Sequence, residues 1–137
     1  MGYGTNGLSF NTLRRANIQR LPQFKNAQGE PAHAKPDGSD WSPADWITAA
    51  LGELGEAANL MKKIKRGDFG QAGDASYKIA LEALRLEFAD VVTYMDLLAY
   101  QFRFNLGEAI EYKFNNVSHR VGAAVFIHGD DWHVKPF

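Results

Sequence analysis

The stretch from Trp46 to Met61 reads WITAALGELGEAANLM, and it decides the fold of this chain. Its only ionisable residues are Glu53 and Glu56, because every other residue there is apolar, small, or an uncharged Thr or Asn. A spacing of three places both carboxylates on one face of a helix, one turn apart. An ionised carboxylate on an apolar helix is costly to bury unless something compensates its charge. The stretch therefore predicts a helix with little polar face, on which the paired carboxylates need a compensating partner.

A second stretch repeats this arrangement further along the chain. It reads FADVVTYMDLLA from Phe88 to Ala99, and Glu87 precedes it, so Glu87 and Asp90 form another pair at a spacing of three. Either pair alone is typical of a solvated helix face. Here the neighbouring residues leave little polar face to be solvated, and four carboxylates on two helices indicate a divalent cation. A ligand set made only of carboxylate oxygens favours Mg²⁺ or Mn²⁺.

Composition limits the class of protein further. A chain of 137 residues with 45% apolar content predicts one domain, residues 1–137, with an ample core. A net charge of −1 gives no field that would attract nucleic acid. The absence of cysteine excludes disulfides and thiolate metal sites and suits a reducing cytoplasm. We find no signal-peptide pattern and no apolar run long enough to span a membrane, so we expect a cytoplasmic protein, in the host cytoplasm if it is phage-encoded.

Capping signals divide the chain into helices. Ser42, Pro43 and Asp45 form the strongest helix start, and Gly67 forms the clearest stop. The same reasoning predicts an all-α bundle of four to five helices, with main helices near residues 9–21, 43–66, 75–104 and 106–121.

The remaining segments and the assembly are also open to prediction. We expect a flexible N-terminus over residues 1–8, a long loop over 22–41 and an irregular tail over 122–137. A short strand, a lid and a dimer arm are the alternatives for that tail. Apolar residues cover more than one stripe of the third helix, so we expect a homodimer or a homotetramer.

Cationic side chains occur at the end of the predicted second helix, and cationic and amide side chains occur on the predicted fourth helix. Cations at a helix C-terminus have an ordinary explanation in the macrodipole, and polar helix faces are commonly just solvated. The functional alternative is that they bind a polyphosphate, whose remaining charge they would neutralise beside a carboxylate–metal cluster. The candidates on the second helix are Lys62, Lys63 and Lys65, and those on the fourth are Lys113, Asn115, Asn116 and Arg120.

Three segments, GELGEAANLMKKIKRGD, LEFADVVTYMDLLA and NLGEAIEYKFNNVSHRVG, resemble the MazG-like all-α nucleotide pyrophosphohydrolases. The resemblance covers about residues 8–122. The family motif is ExxE, a spacer, ExxD, and then a helix that carries Lys, Asn and Arg. Its positions here are Glu53, Glu56, Glu87, Asp90, Lys113, Asn115 or Asn116, and Arg120.

The resemblance implies an activity and an assembly. It implies Mg²⁺-dependent cleavage of a nucleoside triphosphate to the monophosphate and pyrophosphate, with the four carboxylates as catalytic and metal-binding residues. It also implies a helical bundle that forms a dimer or a dimer of dimers. The chain looks similar to the short phage-type members, which include a dGTP-specific branch called MazZ. A preference for dGTP or GTP is the hypothesis that follows from that likeness.

Three residues are candidates for contacts with the base. Asn17 offers both a donor and an acceptor, and Arg20 can donate to two purine acceptors at once. Trp46 lies seven residues before Glu53 on the same helix face, about 10 Å along the axis, where its ring would stack on a base. The ordinary alternatives are a solvated first helix and a tryptophan that only fills the core.

A second hypothesis belongs to a different class of protein. The chain would be a non-catalytic oligomerisation or interaction module whose carboxylates bind a structural cation. Under the enzyme hypothesis the partner is a nucleoside triphosphate substrate, and neither nucleic acid nor a membrane is expected. Release of pyrophosphate in the presence of Mg²⁺ distinguishes the two hypotheses.

Overall fold

The computed structural model describes residues 7–35, 37–129 and 131–134, and most of the N-terminus predicted to be flexible lies outside these residues. The described part is mostly helical, as expected. Its four helices are α1 (Phe10–Arg20), α2 (Pro43–Arg66), α3 (Ala75–Gln101) and α4 (Leu106–Val121). A single 3₁₀ turn, Leu21–Gln23, follows α1, and two short strands, β1 (Val125–His128) and β2 (Asp131–Val134), follow α4.

The predicted capping residues define the helix ends. Ser42 and Asp45 form a reciprocal capping box at the start of α2, and Pro43 occupies its first turn. Gly67 ends α2 in the left-handed region with φ of 83°, where a residue without Cβ is unstrained. Asn105 caps α4 by accepting a hydrogen bond from the backbone N–H of Glu108 at 3.2 Å.

Helix α3 ends at Gln101, three residues before the predicted end at residue 104. Arg103 adopts a left-handed φ of 61°, and its backbone N–H bonds to the carbonyl of Tyr100 at 3.0 Å. The N–H of Phe104 bonds to the carbonyl of Ala99 at 3.1 Å, which completes a Schellman motif. The sequence does not indicate this helix end, because an arginine occupies the left-handed position where a glycine is usual.

The described residues of the tail form a β-hairpin. The expectation of an irregular segment over 122–137 is therefore wrong for these residues. Of the three alternatives for the tail, the short strand is the one that the structure shows. The strands are antiparallel, with Phe126 opposite His133. Asn115 of α4 anchors the hairpin, because its amide donates to the carbonyl of Ile127 at 2.8 Å and accepts from the N–H of Ile127 at 2.9 Å. Four-residue strands are too short to show a period.

Helices α2 and α3 form the main packed pair of the molecule. Ala50 and Ala57 of α2 and Ala80 of α3 are buried, and such small residues let helix backbones approach closely. Helix α1 packs on α3, and the hairpin packs on α4. Among the described residues, α4 contacts α1 and α3 but not α2.

A buried ion pair joins α1 to α3. Asp96 is 1% exposed, and its carboxylate accepts hydrogen bonds from Arg14 Nε and from Asn17 Nδ2, each at 3.0 Å. Arg14 also donates to the backbone carbonyl of Phe104 at 3.1 Å. Because the charge on Asp96 is paired and both carboxylate oxygens are bonded, its burial is compensated. The pair fixes how α1 lies against α3.

Large apolar side chains remain exposed along the central pair of helices. On α2 and α3 they include Leu51, Leu54, Met61, Leu86, Phe88 and Val92. Such a surface on a single chain is typical of an interaction face. The structure contains one chain, so the predicted oligomer stays a prediction. None of the helices in the described ranges is both long and apolar enough to cross a membrane.

Candidate functional site

The structure brings three of the predicted carboxylates into one cluster. Glu53 and Glu56 come from α2 and Glu87 comes from α3, and each offers a carboxylate oxygen within 4.8 Å of the others. The spacing of three aligns the α2 pair on one face, and the packing of α2 against α3 places Glu87 opposite it. This acidic cluster contains only oxygen donors, which suits a hard divalent cation.

The acidic cluster disfavours the ionisation of Glu53. Burial raises the pKa of Glu53 above its ordinary value of 4.5, and a hydrogen bond with Glu87 raises it further. The charges of Asp90, Glu56 and Glu87 act in the same direction. A cation bound by these oxygens would relieve the repulsion, so the electrostatics agree with a metal site.

Asp90, the fourth predicted carboxylate, lies beside the acidic cluster and not within the group of three. It is near enough for its charge to raise the pKa of Glu53. It also contributes to the raised pKa of Tyr94, after burial and the charge of Glu53. Asp90 lines a cavity as well, so it connects the acidic cluster to that cavity.

The cavity has a volume of about 320 Å³. Its walls come from the end of α1, the loop before α2, Trp46 of α2, and the part of α3 between Asp90 and Leu97. Apolar and aromatic side chains predominate, with Arg20, His33, Asp90 and Tyr94 as the charged or titratable groups. A concave apolar space with a few polar groups is the usual form of a small-molecule site.

Aromatic rings pack closely at one side of this cavity. Trp41, which directly precedes the N-cap of α2, meets Trp46 edge-on with ring centroids 4.8 Å apart. His33 and Tyr94 each lie 6.0 Å from Trp46, centroid to centroid. Trp46 is only 3% exposed, so its ring belongs to the core and lines the cavity at the same time. Trp41 is the more accessible of the two tryptophans.

The two α1 candidates for base contacts have different surroundings. Arg20 is exposed, lines the cavity and lies over the ring of Phe24 at 5.4 Å. Asn17 is 2% exposed, donates to Asp96 and accepts from Arg20 Nη2 at 3.4 Å. A direct contact between Asn17 and a base would break these bonds, so Asn17 supports Arg20 from behind in this structure.

The predicted phosphate-binding cations are spread over two elements. Lys62 and Lys65 are exposed and Lys63 is half-buried in the last turns of α2, about two to two and a half turns beyond Glu56. Lys113 and Arg120 are exposed on α4, together with Asn116.

The structure does not bring these two sets together within one chain. In the described residues α4 is not packed against α2, because their backbones do not approach closely, so no α2–α4 interface places the cations of α4 beside the acidic cluster. Asn115 is also engaged elsewhere, since both ends of its amide bond to the backbone of Ile127. The polyphosphate role of the α4 residues stays a prediction.

Sequence reasoning missed several residues that line the cavity. His33, Phe24 and Ala32 belong to the loop over 22–41, where no periodicity indicates which side chains turn inward. Tyr94 had a usable signal, because it follows Asp90 by four residues and therefore shares its helix face. Trp41 directly precedes the N-cap of α2, a position that indicates packing against the first turn of the helix and does not indicate a cavity wall.

Comparison of the chain with protein-family models, with curated proteins and with solved structures finds no match in any of the three.

Proposed function

We propose that this chain is a metal-dependent nucleoside triphosphate pyrophosphohydrolase, which converts a (d)NTP and water to the (d)NMP and pyrophosphate. One observation carries the proposal: a cluster of three carboxylates within 4.8 Å adjoins an aromatic cavity of about 320 Å³, with Asp90 between them. The cluster suits a metal-bound polyphosphate, and the cavity suits a flat heterocycle. The resemblance of the sequence to the MazG-like family supports the same reaction.

The residues present fit Mg²⁺ or Mn²⁺. Glu53, Glu56 and Glu87 would hold the ion, and Asp90 lies close enough to act as a further ligand. Once bound, such an ion polarises a phosphate and lowers the pKa of water. One glutamate of the site would serve as the general base toward that water.

The nucleotide would lie with its base in the cavity and its phosphates at the acidic cluster. Arg20 would meet the base at the mouth, and Trp41 would offer it a ring face. Lys62, Lys63 and Lys65 would neutralise phosphate charge from the end of α2. This substrate class is cytoplasmic, which agrees with a sequence free of cysteine.

A second copy of the chain would complete the site. Lys113 and Arg120 lie on exposed α4 positions, and the apolar faces of α2 and α3 flank the acidic cluster without cover in one chain. A homodimer or homotetramer would cover those faces and would bring cations of one copy toward the carboxylates of another. The family resemblance implies an assembly of this kind.

The test is an assay of pyrophosphate release. The purified chain is incubated with Mg²⁺ and each NTP and dNTP, and with EDTA as a metal-free control. We expect release that requires metal and that falls at least about 100-fold in Glu53→Gln and Glu87→Gln, since a lost metal ligand removes transition-state stabilisation of several kcal/mol.

The matched control is Glu82→Gln, which changes an exposed glutamate of α3 that pairs with Arg85. It should retain the activity of the unmodified chain. Full activity in Glu53→Gln and Glu87→Gln would refute the proposal. Binding of Mg²⁺ without turnover of any nucleotide would instead support a non-catalytic module with a structural cation.

A further inference from the structure

One face of α3 runs from the acidic cluster along the wall of the cavity. Glu87 belongs to the cluster, and Asp90, Thr93, Tyr94 and Leu97 line the cavity. Intervals of three and four residues place all five on the same side of the helix. The chemistry of this face changes along the helix, from two carboxylates, through two hydroxyl groups, to the apolar side chain of Leu97. The wall of the cavity therefore has three chemically distinct sections.

The order of these sections corresponds to the order of groups in a nucleotide. A nucleotide consists of charged phosphates, a sugar that carries hydroxyl groups, and a flat heterocyclic base, joined in that order. With its phosphates at the acidic cluster and its base at the apolar end of the cavity, its sugar lies beside the section between Asp90 and Leu97. Thr93 and Tyr94 form that section.

The hydroxyl group of Tyr94 points back toward the acidic cluster. The backbone of Tyr94 lies about 10 Å beyond Glu87 along the helix axis, but side chains on a helix lean toward its N-terminus, which here is the direction of Asp90. Burial raises the pKa of this hydroxyl, and so do the charges of Glu53 and Asp90. The phenolic oxygen is therefore close to both carboxylates, at the junction of the cluster and the cavity.

The hydroxyl of Tyr94 is free to bond to a ligand. It forms no hydrogen bond with another residue in the part of the chain that the structure describes. It is also accessible, because the unpaired side-chain atoms that are sealed from solvent in the described ranges are nitrogens of His33 and Trp46. The ring itself is held in place, since it packs against the buried ring of Trp46 with centroids 6.0 Å apart.

Thr93 supplies the complementary hydrogen-bonding group. Its hydroxyl donates to the backbone carbonyl of Ala89 at 2.9 Å, so its hydrogen is already used and only its lone pairs remain for a ligand. The hydroxyl of Tyr94 still has its hydrogen to donate. A sugar hydroxyl both donates and accepts, so it matches one acceptor at Thr93 and one donor at Tyr94.

We propose that Thr93 and Tyr94 form a subsite for the sugar of the nucleotide and bind one of its hydroxyl groups. This inference rests on the proposed function, because it places the sugar of that substrate between the phosphates and the base. Tyr94 donates a hydrogen bond to the sugar hydroxyl, and Thr93 accepts one from it. Both are binding residues, so their loss should weaken the preference for a hydroxylated sugar and leave the metal requirement unchanged.

The test varies the sugar and keeps the base constant. Calorimetry with the ribo- and deoxyribonucleoside monophosphates of the common bases first selects the base that binds most tightly. The ribose, 2′-deoxy, 3′-deoxy and 2′,3′-dideoxy forms of that nucleotide are then compared, as monophosphates by calorimetry and as triphosphates by kcat/KM with Mg²⁺. We expect the dideoxy form to be at least about tenfold weaker than the best of the other three in both measurements, since it leaves both protein groups without a partner.

The variants separate a hydrogen-bond role from a structural one. Tyr94→Phe keeps the ring and its packing on Trp46 but removes the hydroxyl, and it should reduce this sugar preference at least about threefold. Thr93→Val keeps the shape of the side chain and should also reduce it, and the double variant should bring it close to one. Tyr77→Phe is the matched control, because it removes a hydroxyl from another half-buried tyrosine of α3, ten residues before Glu87. It should leave the preference unaltered.

Each outcome has one meaning. Equal affinity and equal kcat/KM for the dideoxy form and the other three would overturn the sugar subsite. A preference that survives in the double variant would overturn the role of Thr93 and Tyr94. A sugar preference in monophosphate affinity that both variants reduce, without turnover of any triphosphate, would support this inference and refute the proposed function. Absence of binding by every monophosphate and every triphosphate would overturn both.

Discussion

Glu53 is the carboxylate of the acidic cluster whose pKa is raised by burial and by its neighbours. Burial, the bond to Glu87 and the charges of Asp90, Glu56 and Glu87 all raise its pKa above 4.5. The folded chain therefore holds a proton on Glu53 that the unfolded chain releases at lower pH. Linkage then requires that this contribution to stability is present at pH values below 4.5 and is lost as the pH rises through the raised pKa.

The metal-free chain should consequently lose stability as the pH rises from the ordinary pKa of Glu53 toward neutrality. Glu53→Gln removes this ionisation, so at pH 7 without metal its Tm should exceed that of the unmodified chain by a few degrees. The difference should disappear at pH 4. Thermal unfolding followed by circular dichroism across that range measures the effect, and Glu82→Gln is the control. An equal Tm at both pH values would contradict this account of Glu53.

Addition of Mg²⁺ should change this order of stability. A cation that binds the folded state stabilises it by mass action, and the intact acidic cluster should bind it more tightly than the cluster of Glu53→Gln. The Tm of the unmodified chain should therefore rise with Mg²⁺ more than that of the variant. Equal shifts in both proteins would mean that the ion binds somewhere else.

Helix α1 depends on α3 through the buried ion pair. Asp96→Ala would leave Arg14 without its carboxylate partner. The side chain of Arg14 is only 17% exposed. Breaking a buried pair by removing one partner costs about 3 kcal/mol or more, and the loss should appear as a lower urea midpoint. Asn17 would lose its partner as well, so Arg20 should become less well held at the cavity.

The control for Asp96→Ala is Asp68→Ala. Asp68 pairs with Arg66 at the end of α2 and lies at the surface. An exposed ion pair contributes about 1 kcal/mol at most, so this variant should unfold close to the midpoint of the unmodified chain. Equal destabilisation by the two changes would show that the Asp96 pair does not dock α1.

The ends of α2 could be predicted from the sequence, whereas the end of α3 and the hairpin could not. Ser42, Asp45 and Gly67 are local signals whose effect on the backbone does not depend on distant residues, so they set the ends of α2 directly. The end of α3 uses an arginine in a left-handed conformation, which only the finished turn explains. The hairpin depends on Asn115, a helix residue that nothing in the tail sequence indicates.

The candidate site could also be predicted only in part. Glu53, Glu56 and Glu87 were predictable because helical spacing places each pair on a face, and the two apolar helices had to pack together. The cavity was not predictable, because His33 and Phe24 enter it from a loop whose path is set by tertiary contacts. Asn17 was predicted to contact the base, whereas its burial and its bond to Asp96 depend on the docking of α1.

For the whole molecule, the exposed apolar face of α2 and α3 predicts self-association. Leu86 is 53% exposed and Phe88 is 47% exposed in one chain. Light scattering at micromolar concentration should give at least twice the 15.2 kDa of a single chain. Leu86→Glu should lower that mass, because a charge buried in an apolar interface is costly. Gln28→Glu, in the exposed loop, should not lower it.

A mass of one chain for the unmodified protein would contradict the assembly. It would also remove the route by which Lys113 and Arg120 of a second copy reach the acidic cluster.

The central claim concerns which phosphate bond is broken. Phosphorus NMR of the purified chain with Mg²⁺ and dGTP reads the products directly. The account predicts that the triphosphate resonances are replaced by those of a nucleoside monophosphate and pyrophosphate in equal amounts. Formation of dGDP and orthophosphate, or an unchanged spectrum with dGTP and every other triphosphate, would contradict it.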